Sequence, residues 1–308
     1  MRTVRDYQYV SADDRGASVA IGNFDGVHLG HQYVIDLARG HDAPLGVLTF
    51  EPHPREFFAP EAPPFRLMNA EARENRLQKL GVDLLYELSF NRALATLEAE
   101  TFAREVLAEG LGLSHVVVGA DFCFGKGRAG DARALQEFGA RYGFGVTIAE
   151  IMKGELGAVS STNIRNALTD GRPRDAAAML GHWHRIEGPV LHGEKRGREL
   201  GYPTANMSLA GLHVPKLGVY AVLIDVLDGA HRGTYHGVAS LGVRPMFGGE
   251  TPNLESHLFD FKGDIYGADL SVGLIDFLRP EENFDGIDTL ITQMDADSAR
   301  ARGILAAL

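Results

Sequence analysis

The chain has 308 residues, of which 45% are hydrophobic and 23% charged, and its net charge is −11. This length predicts two domains, and this composition is typical of a globular protein. The acidic excess argues against general binding to nucleic acids or anionic membranes, so anionic ligands would need local basic or backbone-amide sites. The single cysteine, Cys123, excludes an intrachain disulfide and favours a reducing compartment. With no apolar leader and no apolar run of bilayer length, the chain is predicted to be cytoplasmic.

The first half alternates short apolar runs with stretches of helical spacing. The apolar runs cover residues 18–24, 45–50, 82–88, 115–119 and about 145–151. Strands that alternate with helices predict a parallel sheet with helices on both faces. The stretch "SSTNIRNALTDG" then predicts a helix that is capped by Ser161 or Thr162 and ends at Gly171.

The pattern changes near residue 183, where short β-rich runs are separated by Gly, Pro and Asp turns. These runs cover residues 184–193, 218–227, 233–243, 255–261 and 269–278. They predict an antiparallel barrel or sandwich, and the tail from residue 287 returns to helical spacing. The sequence therefore predicts an α/β domain over residues 1–182 and a β-rich domain with a final helix over residues 183–308.

The stretch "GNFDGVHLGHQ", residues 22–32, places two histidines three residues apart after the first strand. Residues three apart lie on one helical face, so both imidazoles can reach one point at a helix N-terminus, where anions are favoured. Gly30 would leave the surface between the rings bare. Phosphate binding is the favoured interpretation. A metal site completed by Asp25 or His53, and histidines that merely begin a helix, remain alternatives.

Two further stretches are rich in glycine and basic residues. "GKGRAG", residues 125–130, fits a dinucleotide-binding pattern but follows a loop, and Gly127 stands where a P-loop needs Ser or Thr. It is predicted to be a loop whose Lys126 and Arg128 either cover a nucleotide or face solvent. In "HGEKRGRELGYPTAN", residues 192–206, the glycines would let a phosphate approach the backbone closely, and the interleaved cations would balance its charge. The side-chain oxygens of Thr204 and Asn206 suit Mg²⁺. A glycine-rich hairpin with solubilising charges is the alternative.

These motifs resemble those of a known family of two-domain enzymes. "GNFDGVHLGHQ", "TFEPHPREFF", "GADFCFGKGRAGD" and "SSTNIR" resemble the adenylyltransferase module of the bacterial bifunctional riboflavin kinase/FMN adenylyltransferases, also called FAD synthetases. "GYPTAN" and "NLESHLFDF" resemble the riboflavin kinase signature, so the resemblance covers essentially the whole chain. It implies a Rossmann-like nucleotidylyltransferase domain followed by a riboflavin kinase β-barrel. It also implies that riboflavin and ATP give FMN, that FMN and ATP give FAD, and that both steps use Mg²⁺.

The resemblance also implies roles for particular residues. The implied catalytic residues are His28, His31, Asn23 and Arg165 in adenylyl transfer and Glu255 in the kinase. The implied ligands of Mg²⁺ are Thr204 and Asn206. Contacts to nucleotide or flavin are implied in the first domain for Gly22, Phe24, Asp25, Gly30, Asp121, Ser160, Ser161 and Thr162. They are implied in the second domain for Gly193, Lys195, Gly197, Arg198, Gly201 and Pro203.

Without the resemblance, "SSTNIR" is only a helix cap and Glu255 only an outward-facing strand carboxylate. The chain departs from the family at Ser240 and Met246, where Asn and Thr are more usual. The expected partners are riboflavin, FMN and ATP, without nucleic acid or membrane, in a monomer or weak homo-oligomer. The competing functions are a transferase for another phosphate acceptor, a flavin-storage protein that consumes no ATP, and a flavin-responsive nucleic-acid regulator.

Overall fold

The computed structural model describes residues 1–150, 153–154, 157–192, 200–246 and 249–308. The chain forms two compact units. The first comprises Met1–Pro63 and Arg73–Val159, and the second comprises Pro64–Ala72 and Ser160–Leu308. The units thus divide after Val159, whereas the sequence places the boundary of the functional domains near residue 182, which stays a prediction.

A parallel sheet forms the centre of the first unit. Its strands are β1 (Arg2–Val4), β2 (Ser18–Ile21), β3 (Leu45–Glu51), β4 (Leu84–Ser89), β5 (His115–Gly119) and β8 (Gly145–Ala149). They lie in the order β1-β4-β3-β2-β5-β8, and every pair is parallel. The strand β1 was not predicted, because its three residues are partly exposed and form no apolar run.

Helices connect these strands, as parallel pairing requires. They are α1 (Leu29–Arg39), α2 (Pro54–Phe58), α3 (Ala70–Lys79), α4 (Arg92–Ala95), α5 (Ala99–Thr101), a π-helix (Phe102–Gly110) and α6 (Ala132–Tyr142). Two short hairpins are also present, β6 (Cys123–Phe124) with β7 (Gly130–Asp131) and β9 (Lys153–Gly154) with β10 (Gly157–Ala158).

Burial of apolar side chains from the strands and helices stabilises the first unit. Val19, Tyr86 and Leu107 are fully buried members of its core, and each such side chain contributes about 1.5–3 kcal/mol. The strands all run in one direction, so the loops that follow β2, β3 and β5 emerge at the same edge of the sheet. Open parallel sheets bind ligands at that carboxyl edge. The "GNFDGVH", "PHPREFF" and "ADFCFGKG" segments follow these three strands.

The second unit contains an antiparallel barrel. Its strands are β11 (Arg185–Pro189), β12 (Ala205–Ser208), β13 (Gly218–Val226), β14 (Gly233–Met246), β15 (Gly249–Leu258) and β16 (Asp269–Arg279). Its helices are α7 (Ser161–Thr169), α8 (Pro173–Leu180) and α9 (Ile287–Leu305). The strands lie in the order β11-β16-β13-β14-β15-β12, and a bridge between Leu191 and Asn206 nearly closes the sheet. The structure thus resolves the predicted choice between barrel and sandwich in favour of the barrel.

The structure corrects the predicted cap of helix α7. Ser160, rather than Ser161 or Thr162, is the N-cap, and its Oγ accepts a hydrogen bond from the backbone N–H of Asn163 at 3.2 Å. Ser160 has extended dihedral angles, φ −151° and ψ 152°. Ser161 and Thr162 are already helical, so neither can occupy the cap position.

Candidate active sites

A tight turn after β2 positions the histidine pair of the first unit. Phe24, Gly26 and Val27 all have positive φ, at 51°, 87° and 43°. Positive φ is uncommon for residues with a side chain, and here burial of Phe24 and Val27, each at most 1% exposed, holds it. The turn delivers His28 to the N-cap of α1, where its Nδ1 accepts a hydrogen bond from the backbone N–H of His31 at 3.2 Å.

The two imidazoles lie face to face at the start of α1. Their ring centroids are 3.6 Å apart and their planes differ by 12°, which confirms the prediction that both reach one point. A Cβ on Gly30 would lie 3.2 Å from the His28 ring. Glycine at this position therefore makes room for the His28 ring itself, rather than leaving a bare surface between two separated rings.

Both histidines are neutral at physiological pH. Burial lowers the pKa of His28 to about 4, and burial together with neighbouring His28 lowers the pKa of His31 well below its usual value. Because the Nδ1 of His28 accepts a hydrogen bond, its proton lies on Nε2, which is then a donor. The Nδ1 of His31 is buried without a hydrogen-bond partner among the described residues. An unsatisfied buried polar atom costs about 1–3 kcal/mol.

The metal interpretation of this pair finds no support among the described residues, where no cluster of three His, Cys, Asp or Glu could hold a metal ion. His53 instead caps α2, with its Nδ1 accepting the backbone N–H of Arg55 at 3.0 Å. His28 does begin a helix, as the third alternative held, and neutral imidazoles at a helix N-terminus are also suited to donate hydrogen bonds to an anion.

The low pKa of His28 makes the stability of the fold depend on pH. The unfolded chain binds this proton near pH 6.5 and the folded chain only near pH 4. The free energy of unfolding is therefore unaffected above pH 6.5 and falls as the pH is lowered towards 4, by up to about 3 kcal/mol from this residue. His28→Asn keeps a capping side chain. Between pH 7 and pH 4, we expect its free energy of unfolding, measured by urea titration, to fall less than that of the wild type. Equal slopes would contradict the assignment.

A cavity of about 1050 Å³ lies at the carboxyl edge of the sheet and is strongly aromatic. Seven phenylalanines line it: Phe50, Phe57, Phe58, Phe90, Phe102, Phe122 and Phe124. Phe57 and Phe90 meet edge to face at 5.4 Å, and Phe122 stacks on Phe124 at 5.5 Å. The predicted residues Gly22, Asn23 and Asp121 share the lining with four cations, Arg55, Arg92, Lys126 and Arg128. The cavity suits a flat apolar ring system that carries an anionic group.

The loop over residues 125–130 forms part of this lining. It connects β6 to β7, so it does not join a strand to a helix as a dinucleotide-binding loop would. The backbone N–H of Lys126 donates to the carbonyl of Leu97 at 2.7 Å, and its ammonium lies 3.2 Å from the Glu98 carboxylate. Both side chains are largely exposed, so this ion pair contributes little stability.

The "SSTNIR" motif, residues 160–165, caps and begins α7, within the second unit. One guanidinium nitrogen of Arg165 donates to the Phe65 carbonyl at 3.3 Å, and the other donates to the Thr162 hydroxyl at 3.3 Å. The guanidinium also lies over the Phe65 ring at 5.7 Å. The structure therefore brings Arg165 and Thr162 together and uses the Ser160 hydroxyl for the cap. Asn23, Phe24, Asp25, His28 and His31 belong to the first unit.

The barrel aligns a second polar cluster across three adjacent strands. Asn206 on β12 and Ser240 on β14 both pair with Glu255 on β15. Thr204 Oγ1 donates to Glu255 Oε2 at 3.5 Å. Glu255 is half-buried between the buried Leu254 and Ser256. The alternation confirms that the carboxylate faces away from the core, but it faces a cavity.

That cavity has a volume of about 390 Å³ and two different walls. Barrel residues form one wall: Tyr202, Thr204, Ser240, Glu255 and His257. Helix α9 supplies Leu290, Met294 and Asp297 to the other, and Asp297 is fixed by a 2.9 Å ion pair with Arg279. The contribution of α9 was not predicted, because its residues are some 35 positions beyond the motif and carry no local signal.

The oxygen atoms of this cluster suit Mg²⁺. The Asn206 amide is 7% exposed, its Nδ2 donates to the Thr204 carbonyl at 3.4 Å, and its Oδ1 accepts from Asn253 at 3.3 Å. A carbonyl oxygen has two lone pairs, so one remains for a cation beside the Thr204 hydroxyl. Mg²⁺ prefers few protein oxygens together with substrate phosphates. The donor set therefore fits the predicted metal.

The remaining predicted residues of the second domain divide into two groups. Gly201 has φ 82°, which requires glycine, and the Pro203 carbonyl accepts a hydrogen bond from His257 at 2.9 Å. Gly193, Lys195, Gly197 and Arg198 lie outside the described residues, and so does the side chain of Met246. Among the helices that the structure describes, none has the length and apolarity to cross a membrane.

The α/β unit with its histidine pair and the barrel with its Thr–Asn–Glu cluster define a nucleotide-dependent transferase with two active sites. The FAD synthetase family model matches residues 10–163, and the riboflavin kinase family model matches residues 180–305. The bifunctional riboflavin kinase/FMN adenylyltransferase of Pseudomonas fluorescens is 42% identical over 99% of this chain and 98% of its own length. That of Escherichia coli K12 is 38% identical over 98% and 97%. This chain belongs to the bifunctional riboflavin kinase/FMN adenylyltransferase family.

A solved structure agrees in fold. The crystal structure described as a macrolide-efflux protein from Streptococcus pneumoniae has a TM-score of 0.82, is 33% identical and covers 96% of both chains. The family resemblance and the fold class that were predicted from the sequence are confirmed.

Proposed function

We propose that the chain makes FMN at the barrel and FAD at the α/β unit. Riboflavin and ATP give FMN and ADP in the first reaction, and FMN and ATP give FAD and pyrophosphate in the second. The observation that carries the proposal is that each unit brings motif residues to a cavity wall. Asn23 and Asp121 line the larger cavity, and Thr204 and Glu255 line the smaller one.

Adenylyl transfer needs positioned donors rather than a protein nucleophile. An oxygen of the FMN phosphate attacks the α-phosphorus of ATP, the bond to the β-phosphate oxygen breaks, and pyrophosphate leaves. His28 Nε2–H and His31 donate hydrogen bonds to the phosphoryl oxygens as charge builds up there, and the first amides of α1 act with them. Asn23 lies on the loop that leads to this pair. For Ser160, Ser161, Thr162 and Arg165, the proposed roles come from the family motif alone: the hydroxyls bind the triphosphate, and Arg165 neutralises the leaving pyrophosphate.

The aromatic cavity is proposed to bind the isoalloxazine ring of FMN. Planar rings gain about 1–3 kcal/mol from each stacking aromatic side chain in comparable sites. The cations on the cavity wall, Arg55, Arg92, Lys126 and Arg128, suit the phosphate of FMN.

Loss of one ring should therefore weaken flavin binding selectively. We expect Phe57→Ala to raise the KM for FMN in FAD formation about tenfold, because the ring that meets Phe90 edge to face is removed. The KM for ATP should change by less than about twofold. Steady-state kinetics with each substrate varied would measure both. Phe138→Ala, a ring on α6 outside the cavity lining, is the matched control. An equal change in both KM values would contradict a flavin site here.

Phosphoryl transfer at the barrel needs a base beside the acceptor hydroxyl. The Glu255 carboxylate accepts the proton of the ribityl 5′-hydroxyl as that oxygen attacks the γ-phosphorus of ATP and ADP leaves. Thr204 and Asn206 hold Mg²⁺, which neutralises phosphate charge. Strand pairing of Asn206 and Ser240 with Glu255 sets the backbone positions from which these side chains project.

The remaining sequence-based predictions form part of the same proposal. Residues 1–182 carry adenylyl transfer and residues 183–308 carry the kinase, in a cytoplasmic monomer or weak homo-oligomer. The partners are riboflavin, FMN and ATP, without nucleic acid or membrane, which the net charge of −11 supports. Light scattering across a concentration series would test the oligomeric state.

A time course tests the proposed function directly. Purified chain is incubated with riboflavin, ATP and Mg²⁺, and the flavins are separated by chromatography. FMN that forms and then gives way to FAD supports both activities. FMN alone would contradict adenylyl transfer to FMN, and conversion of added FMN without use of riboflavin would contradict the kinase. Flavin binding without ATP consumption would favour the storage alternative.

A further inference from the structure

Tyr202 links three elements around the smaller cavity. Its hydroxyl donates a hydrogen bond to the carboxylate of Asp295 on α9. Its ring lies 4.9 Å from the ring of His257 on β15. The Nδ1 of His257 in turn donates to the carbonyl of Pro203 at 2.9 Å. The Tyr202–Pro203 segment is therefore held by β15 on one side and by α9 on the other.

This segment directly precedes Thr204, the first residue of the proposed Mg²⁺ site. Thr204 is the next residue, and its hydroxyl lies 3.5 Å from Glu255. His257 lies two residues after Glu255, so both side chains are on the same face of β15. Any shift of Tyr202 and Pro203 would be passed through the chain to Thr204 and would change its distance from the carboxylate.

Helix α9, to which Tyr202 is hydrogen-bonded, also forms the apolar wall of the smaller cavity. Helix α9 contributes Leu290 and Met294 to the cavity and suits a flavin ring there, whereas Thr204 belongs with the phosphates. Burial and the hydrogen bond to Asp295 raise the pKa of Tyr202, so the phenol remains a donor at physiological pH. The Tyr202–Asp295 hydrogen bond therefore joins the segment before Thr204 to the helix that carries Leu290 and Met294, although Asp295 itself is not part of the cavity lining.

We infer that Tyr202 is a positioning residue for phosphoryl transfer, which fastens the Thr204 segment to α9 and so fixes the spacing of the two substrates around Glu255. This inference rests on the proposed kinase function. Tyr202 does not itself exchange a proton with substrate. It affects the fraction of time in which bound riboflavin and ATP are aligned for attack. Alignment contributes much of the rate when the protein forms no covalent intermediate.

The test compares Tyr202→Phe, Asp295→Ala, Asp295→Asn and the Tyr202→Phe/Asp295→Ala double variant in the full chain. We expect each of the first two variants to lower kcat for FMN formation about tenfold, with the KM for riboflavin changed by less than about twofold. Asp295→Asn retains an acceptor oxygen and should restore most of the rate. The double variant should be no slower than either single variant, because the same Tyr202–Asp295 hydrogen bond is lost in all three. Fluorescence titration should give an unchanged Kd for riboflavin.

Tyr235→Phe is the matched control. It removes a hydroxyl that donates to the His231 carbonyl at 3.0 Å, in the same unit but outside the cavity lining. A Tyr202→Phe rate equal to that of Tyr235→Phe would overturn the inference alone. Additive losses in the double variant would also overturn it, as would a parallel fall in FAD formation from FMN and in melting temperature. A wild-type chain that makes FAD from FMN but cannot phosphorylate riboflavin would overturn the proposed kinase function, and the inference with it.

Discussion

His28→Asn is expected to lower FAD formation by about 10²–10³-fold while FMN formation continues at the wild-type rate. Asparagine can still accept the backbone N–H of His31 and cap α1, so the start of the helix is retained. The variant lacks the Nε2–H donor of His28 and the ring that stacks on His31 at a centroid distance of 3.6 Å. The measurement is the rate of each conversion, with riboflavin or FMN supplied separately.

His31→Gln provides an independent test, because His31 caps nothing with its side chain. It should produce a comparable loss of FAD formation and the same continued formation of FMN. A folded His28 or His31 variant that had lost both activities would contradict the assignment of one activity to each unit. A folded variant that retained FAD formation would contradict the role of the pair in charge stabilisation.

Glu255→Gln should have the opposite effect. The amide keeps the size of the side chain and can still accept the hydrogen bond from the Thr204 hydroxyl. It cannot take the proton of the attacking hydroxyl, so riboflavin phosphorylation is expected to fall about 10²–10⁴-fold. FAD formation from added FMN should be unchanged. Both rates are measured by chromatography of the flavins.

Glu137→Gln, the same chemical change on exposed α6 of the first unit, controls for the loss of one carboxylate. Undiminished phosphorylation by Glu255→Gln would show that another group accepts the proton. Loss of riboflavin binding in the variant would instead assign Glu255 to substrate binding and would contradict the proposed base.

The local sequence was sufficient where a feature depends on a few neighbouring residues. Buried parallel strands such as β3 and β5 form near-continuous apolar runs, and α9 shows helical spacing, so these elements were predicted. The strand β12 was not predicted, because its four residues overlap the end of the "GYPTAN" motif and form no apolar run. The cap of α7 was placed one or two residues too late, because Ser160, Ser161 and Thr162 are all good cap residues. Only the backbone angles distinguish them.

The sites were predicted less completely than the fold. The pattern around His28 and His31 indicated a shared point and favoured phosphate, but it left a metal site and a simple helix start as alternatives, since the choice depends on which distant groups surround the pair. The aromatic cavity draws its rings from β3, α2, the residue after β4, the π-helix and the segment from Phe122 into β6, so its members are scattered between residues 50 and 124. Doublets such as Phe57–Phe58 were the one local signal, and only the tertiary structure shows that they face a common space.

The bridge that nearly closes the barrel lies at Asn206. The backbone carbonyl of Asn206 accepts the N–H of Leu191 at 2.8 Å, while its side-chain oxygen accepts from Asn253 at 3.3 Å and is a proposed ligand of Mg²⁺. Opening this hydrogen bond would detach the edge of the sheet and move the proposed Mg²⁺ ligand with it. The rate of deuterium uptake at the Leu191 amide would then measure how often this hydrogen bond is open. For the proposed kinase, a molecule in which this bridge is open would also have Asn206 displaced from the Thr204 and Glu255 side chains.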